Sequence, residues 1–241
     1  SDHFDKLFAA ARKWGFEKVE LQHIKFGTVM GKDGKPYKTR SGDTVGLEGL
    51  LNEAVGQALK VVSENDDSKP QGAELSSSER QNIAEVVGLG GLKYADLSHN
   101  RETDYEFDAE KMLAKTGNTA TYMQYSYARV RSIFAKGDVS AADLKSIATV
   151  ALTHSAERSL ALMLLRFSEA LAETEADYMP NHLTAYLFDL AKSYFTFYES
   201  CPVLKADTPE SRLTRLLLSD LTARTIQQGL TLLGIGVVEK M

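Results

Sequence analysis

Apolar positions in the first sixty residues follow two periods. Phe4, Leu7, Phe8 and Ala11 recur at helical spacing, and Gly15 follows as a C-cap. Residues 19–24 (Val-Glu-Leu-Gln-His-Ile) alternate and predict a strand. Residues 26–30 and 36–39 read as extended limbs around Gly31-Lys32-Asp33-Gly34-Lys35, with Asp33-Gly34 as the hairpin signal. Leu47, Leu50, Leu51, Ala54, Ala58 and Leu59 then form one stripe of a helix over residues 47–62. One helix, one strand and a hairpin cannot cover both faces of a sheet. The opening section is therefore expected to be the last part of an α/β domain whose earlier strands lie outside this chain.

Residues 63–77 are polar and predict a surface loop, after which Ser78 and Gln81 have capping-box spacing. The helix they start continues through, or breaks at, Gly88, Gly90 and Gly91. Asp108 is placed to cap a short helix ending near Lys115. From Thr119 onward the pattern is helical throughout. Helices are expected over residues 122–136, over 140–152 with Ser140 as cap, and over 155–175 with Leu160, Leu164, Phe167 and Leu171 buried. Pro180 and Pro209 sit at the first turns of two more, the last stopping at Gly234. Five amphipathic helices with short connections make a bundle.

Composition changes this picture little. Of 241 residues, 43% are hydrophobic and 25% charged, as in an ordinary globular protein. A single cysteine, Cys201, excludes an intramolecular disulfide framework and fits a reducing cytoplasm. No apolar run is long enough to span a bilayer. The net charge of −5 leaves room for a local basic patch, which is all that phosphate contact needs. His3, His23, His99, His154 and His182 show no metal-ligand spacing.

Two segments carry candidate chemistry. Residues 31–42 (G-K-D-G-K-P-Y-K-T-R-S-G) gather three lysines, an arginine, two aliphatic hydroxyls and three glycines, donors suited to a polyphosphate although not in Walker A spacing. A solvated basic hairpin without ligand is the alternative reading. On residues 122–131, Tyr122 and Tyr125 share a helix face, with Arg129 one turn beyond Tyr125. Aromatic rings beside arginines stack unpaired bases and hold phosphates. The alternative is that two of these tyrosines belong to the core. Tyr194, Phe195, Phe197 and Tyr198 read mostly as core.

These segments, in this order, resemble the arginyl-tRNA synthetases, a class I aminoacyl-tRNA synthetase family. The resemblance is carried by H-I-K-F-G-T-V-M-G-K-D-G-K-P-Y-K-T-R-S-G-D-T-V (residues 23–45), L-K-Y-A-D-L-S-H-N-R (92–101) and Y-M-Q-Y-S-Y-A-R (122–129). N-H-L-T-A-Y-L-F-D-L (181–190) and L-L-G-I-G-V-V-E-K-M (232–241) continue it.

The resemblance implies a mainly α chain: a helical anticodon-binding bundle preceded by a partial, Rossmann-like α/β remnant of the catalytic domain. It places the end of that domain at residues 1–63, a helical connection like the family's stem-contact region at 64–117, and the all-α anticodon-binding domain at 118–241. Lys38-Thr39-Arg40-Ser41-Gly42 stands where other class I enzymes carry K-M-S-K-S, lacking that motif's second lysine. Positive donors there stabilise charge that develops on ATP phosphates as arginine attacks. His23, Phe26, Gly27 and Lys35 would lie near ATP, and Tyr122, Gln124, Tyr125, Arg129, Tyr198 and Met241 would meet the anticodon loop.

The implied reaction joins arginine to its tRNA through an arginyl-adenylate, with ATP and Mg2+. The H-I-G-H element, the arginine pocket and the tRNA-elbow domain are expected ahead of Ser1. This chain alone is therefore expected to form no adenylate, to bind arginine tRNA at most weakly through its bundle and to hold no nucleotide or metal. The competing reading is a non-catalytic module that binds RNA or a protein. Exposed apolar positions on residues 4–16 make a dimer surface conceivable.

Overall fold

A computed structural model of the chain describes residues 2–31, 33–36, 46–140, 142–146 and 150–241. The fold is mainly helical, with one two-stranded sheet among the described residues. Helix α1 (Asp2–Lys13) carries Asp2 and Asp5 in its first turn and Arg12 and Lys13 in its last, matching the helix dipole at both ends. No α1 residue is buried, and Trp14 beyond it is 84% exposed.

Residues 19–24 are not a strand. Alternation needs a neighbouring ladder to pair with, and none is present there among the described residues. The Arg12 guanidinium instead binds the carbonyls of Phe16, Glu17 and Val19, each at 2.7 Å, and holds this stretch against α1.

The Asp33-Gly34 turn forms as expected. Gly34 adopts φ +70°, the Gly31 N–H donates to the Lys35 carbonyl at 2.7 Å, and Met30 bridges Pro36 in antiparallel fashion. The remainder of its second limb, with Lys38, Thr39, Arg40, Ser41 and Gly42, lies outside the described residues. Strand β1 (Val29–Met30) also pairs in parallel with β2 (Tyr105–Glu106), Val29 opposite Tyr105 and Met30 opposite Glu106. The sequence pattern does not announce this pair.

Helix α2 (Leu47–Asp67) runs past the expected loop start, and α3 (Ser77–Ser98) continues unbroken through its glycines. The capping box uses Ser76 and Glu79, two residues earlier than the Ser78–Gln81 pair. Asp66 organises the intervening turn. Its carboxylate accepts the Glu74 and Leu75 N–H groups and two contacts from Arg80, which hold it well below the usual carboxylate range although burial opposes this. Gly88 lets α2 and α3 touch: a Cβ there would stand 2.8 Å from the Ala54 carbonyl oxygen and the Val55 Cα. Beyond β2, Asp108 caps the short α4 (Ala109–Met112), as expected.

The bundle consists of α5 (Ala120–Gly137), α6 (Ser155–Leu165), α7 (Phe167–Asp177), α8 (Pro180–Ser200) and α9 (Pro209–Leu232). Met123, Leu160, Leu183, Leu187, Leu190, Tyr194, Phe197, Leu216, Ile226 and Leu230 fill its core. Each such side chain contributes roughly 1.5–3 kcal/mol on burial, so stability concentrates here and not in α1. Thr119 and Thr208 cap α5 and α9, and Pro180 and Pro209 occupy first-turn positions.

Two further expectations are corrected. Among the described residues the stretch after Ser140 forms a 3-10 turn (Asp143–Ser146), with the Asp143 carboxylate accepting the Ser140 N–H at 2.7 Å, and residues 150–153 are not helical. The helix over 155–175 is two helices meeting at Arg166.

After α9 the chain turns at Gly234 (φ +70°) and crosses α3 and α5. Lys93 binds the Gly234 carbonyl at 2.7 Å, Gln124 the Gly236 carbonyl at 2.8 Å, and Glu239 accepts from Tyr127 and Arg131, each at 2.8 Å. Ile235 and Val238 of this tail are buried.

Candidate nucleic-acid interface

Helix α5 sends Ala120, Met123, Tyr127, Val130 and Phe134 into the bundle core, which leaves Tyr122, Tyr125 and Arg129 half-buried along its rim. Helix α8 does the same. Leu183, Leu187, Leu190, Tyr194 and Phe197 point inward, while Phe188, Phe195 and Tyr198 border α5. The Tyr122 ring lies 5.3 Å from Phe195 at 27° and 5.8 Å from Phe188 at 64°, and Tyr125 lies 6.3 Å from Phe195 at 16°. These are offset-stacked and edge-on arrangements of the kind that ring quadrupoles favour.

Arg129 closes the row. Its guanidinium carbon lies 5.1 Å from the Tyr125 ring centre, 5.3 Å from Phe195 and 5.1 Å from Tyr198. Its Nη2 donates to the Tyr125 hydroxyl at 2.8 Å. A further cation, Lys192, sits over Phe188 at 5.3 Å. Burial, helped by the Glu199 charge, pushes the Tyr122 hydroxyl pKa up and keeps it neutral. The result is a continuous strip of ring faces with positive charge set into it. Such a strip can stack unpaired bases while its cations face phosphates.

Not every expected anticodon residue joins this strip. Tyr122, Tyr125, Arg129 and Tyr198 come together. Gln124 does not: its side chain is 0% exposed, with its amide nitrogen donating to Gly236 and, at 3.4 Å, to the Val86 carbonyl. One residue along a helix turns a side chain by about 100°, and that step takes Gln124 inward. Met241 packs on the α2–α3 cluster of Ala58, Val62, Ile83, Ala84 and Val87, apart from the tyrosines. Phe188 and Lys192 belong to the strip although the sequence pattern does not single them out, and Phe195, expected with its neighbours mostly as core, joins it as a half-buried ring. Their signal is the seven-residue spacing of Phe188 and Phe195, offset from the inward Leu187–Tyr194 pair.

At the other end, the expected nucleotide residues lie along one limb. The His23 ring stacks on Phe4 at 4.0 Å, and Phe26 is 85% exposed. The Gly27 N–H donates to the Arg101 carbonyl at 2.6 Å, and a Cβ on Gly27 would collide with the Thr103 carbonyl. Lys35 closes the turn, its N–H donating to the Asp33 carboxylate at 3.2 Å. Among the described residues no three histidine, cysteine or acidic side chains gather in a geometry suited to a metal ion. No helix is long and apolar enough to cross a membrane.

Comparison with known proteins accounts for both ends. Residues 1–109 match the class I (R) tRNA synthetase catalytic domain, and residues 123–241 match the DALR anticodon binding domain. The chain is 50% identical to the arginine–tRNA ligase of Rhodopirellula baltica and 46% identical to that of Haemophilus influenzae, over its full length in both cases. It spans 37% and 41% of those two relatives. Among solved structures it superposes on arginyl-tRNA synthetase from Plasmodium falciparum with a TM-score of 0.80 at 28% identity, over 99% of this chain and 39% of that one. The Thermus thermophilus arginyl-tRNA synthetase gives 0.77 at 29% identity, over 97% of this chain and 38% of that one. With both domain families matched in order along its length, this chain belongs to the arginyl-tRNA synthetase family.

Proposed function

We propose that this chain reads the anticodon loop of arginine tRNA on the α5–α8 aromatic strip, as part of a protein that attaches arginine to that tRNA. The observation that carries the reading is the placement of Arg129 against three aromatic rings at the rim of a domain matched to anticodon binders. The rings are held in place by the bundle core before any RNA arrives, so little ordering entropy is lost on binding. Stacking contributes about 1–3 kcal/mol per base. Tyr122, Tyr125, Phe195 and Tyr198 supply the faces and Arg129 and Lys192 the charge. Gln124 and Met241 then support the fold beside the strip and do not touch bases.

For ligation, membership in a class I family carries the use of ATP, with arginine and its tRNA as the other substrates and an arginyl-adenylate between them. His23, Phe26, Gly27 and Lys35 are proposed to border the nucleotide, and Lys38, Thr39, Arg40, Ser41 and Gly42 to face its phosphates. Mg2+ is expected to accompany ATP, and no described side chain of this chain is assigned to it. The cytoplasm, where tRNA is charged, is the proposed location. Dimerisation through the exposed apolar positions near Trp14 and Phe16 is retained as a secondary proposal, supported by their 84% and 53% exposure.

Fluorescence anisotropy with a labelled arginine-tRNA anticodon stem-loop tests the central reading. Binding by the parent chain, weakened roughly 5- to 150-fold in Tyr122→Ala or Phe195→Ala, is the expected result. Equal affinity for stem-loops with altered anticodon bases would remove the anticodon reading and leave a general RNA binder. A specific protein partner captured in place of RNA would favour the non-catalytic module.

A further inference from the structure

Helix α8 presents one row of side chains to the strip. Phe188, Lys192, Phe195 and Glu199 follow at steps of four, three and four residues, which keeps them within about 60° of one another around the helix. Phe188 and Phe195 pack against the Tyr122 ring, and Lys192 sits over Phe188 at 5.3 Å. Glu199 continues the row one turn beyond Phe195 as an exposed carboxylate. It lies near enough to Tyr122 for its charge to add to burial in raising that hydroxyl's pKa.

The Glu199 carboxylate has nothing to hold. The positions three and four residues away are Phe195, Thr196, Pro202 and Val203, so no ion pair along the helix is open to it. It makes no hydrogen bond or ion pair among the described residues. The other carboxylate of α8, Asp189, is paired with Lys192 at 3.7 Å. Arg129 is engaged as well, donating to the Tyr125 hydroxyl.

A bare negative charge on a surface that meets phosphates lowers affinity through repulsion. That penalty is reversed only where the ligand brings a hydrogen-bond donor to the carboxylate, which when ionised can only accept. Cytosine does so through its exocyclic amine, the group that glutamate reads on base edges. Uracil has a carbonyl oxygen at the same place and is repelled. Arginine codons all have guanine in the middle, so cytosine is the central base of every arginine anticodon.

We propose that Glu199 is a specificity-determining residue of the strip, accepting the exocyclic amine of an anticodon cytosine stacked on the Tyr122–Phe195 ring pair. The inference rests on the anticodon reading above and names the chemical group that is read.

Fluorescence anisotropy of the 241-residue chain with arginine-tRNA stem-loops tests this, the central anticodon base being cytosine, uracil or the pyrimidinone that lacks only the cytosine amine. The parent is expected to prefer the cytosine loop at least about fivefold over either of the others, the lower end for a good base-edge contact. In Glu199→Ala that preference is expected to vanish, with the uracil loop bound more tightly than by the parent because a repulsion has gone. Glu199→Gln, which keeps the shape and can donate to a carbonyl, is expected to accept both loops. A side chain that only supports the fold would weaken all loops alike, so the ratio between loops and the sign of the uracil change are diagnostic. A cytosine preference that is absent while other anticodon bases are read, that survives in Glu199→Ala, or that ignores loss of the amine overturns the inference alone. No binding by the parent, or binding indifferent to every anticodon base, removes the anticodon reading and the inference together.

Discussion

The Arg215 Nε donates to Glu157 Oε1 at 2.8 Å inside the bundle, joining α9 to the start of α6. The second Glu157 oxygen accepts the Thr153 and His154 N–H groups at 2.8 and 2.9 Å, and Arg215 Nη1 reaches the Pro202 carbonyl at 3.0 Å. Burial opposes ionisation of Glu157, yet the His154 amide and the Arg215 guanidinium together hold its pKa below the ordinary 4.5. A depressed carboxylate stabilises the fold fully above its unfolded value and loses that contribution as pH falls through the lower folded value. Melting temperature should therefore decline as pH drops below about 4.5, and Glu157→Gln should flatten that decline. At neutral pH, Glu157→Ala should cost about 3–5 kcal/mol in urea unfolding, because Arg215 is left as an uncompensated buried charge.

Tyr125 and Tyr194 separate platform from core. Tyr194→Ala removes a fully buried ring and should cost about 3–5 kcal/mol of stability. Tyr125→Phe keeps the ring and loses only the 2.8 Å bond from Arg129, so stability should change by less than about 1.5 kcal/mol. Arg129→Lys should weaken stem-loop binding more than Tyr125→Phe does, since an ammonium lacks the planar fork that packs among three rings. Chemical denaturation and anisotropy on the same samples check both halves. A Tyr125→Phe chain as destabilised as Tyr194→Ala would make Tyr125 a core residue.

Gly88→Ala should destabilise the α2–α3 pair by about 1–3 kcal/mol, because the atoms a Cβ would meet at 2.8 Å are backbone and cannot rotate away. Gly56 on α2 has open space around it, so Gly56→Ala should be neutral or stabilising by up to about 1 kcal/mol through helix propensity. Urea midpoints of the two variants should move in opposite directions or differ clearly in size.

The tail after α9 is latched through Glu239. Burial pushes the Tyr127 hydroxyl pKa up, helped by the Glu239 carboxylate, to about 12. Burial of Glu239 itself is outweighed by Arg131 and Tyr127, which hold its pKa below the usual carboxylate range. Glu239→Ala should lower the Tyr127 titration seen by ultraviolet absorbance and speed carboxypeptidase trimming of residues 233–241. Unchanged trimming would show that Lys93, Gln124 and the buried Val238 suffice to hold the tail.

Much of the bundle was legible from local signals. Pro180 and Pro209 mark helix starts because a fixed φ and a missing N–H suit the first turn. The 3.6-residue period likewise marks a core position such as Leu160. Some failures depend on a partner distant in the chain, whereas the missed helix after Ser140, the break at Arg166 and the shifted capping box are local. Residues 19–24 carry a strand pattern and form no strand, because alternation does not create the neighbour that a ladder needs. Met30 and Phe107 are joined by a hydrogen bond at 2.9 Å that no local pattern encodes.

The same limit governs the site. Tyr122, Gln124, Tyr125 and Arg129 form one sequence motif, and the motif alone does not say which of them faces solvent. The sequence determined most of the helices, the proline starts of α8 and α9, part of the core stripe and a cluster of tyrosines beside an arginine. Tertiary structure decided that α8 packs beside α5, which draws Phe188 and Phe195 into the strip and seals Gln124 under the C-terminal tail. A helix's own period sets the angles between its side chains, but only the neighbouring element decides which of those angles opens to water.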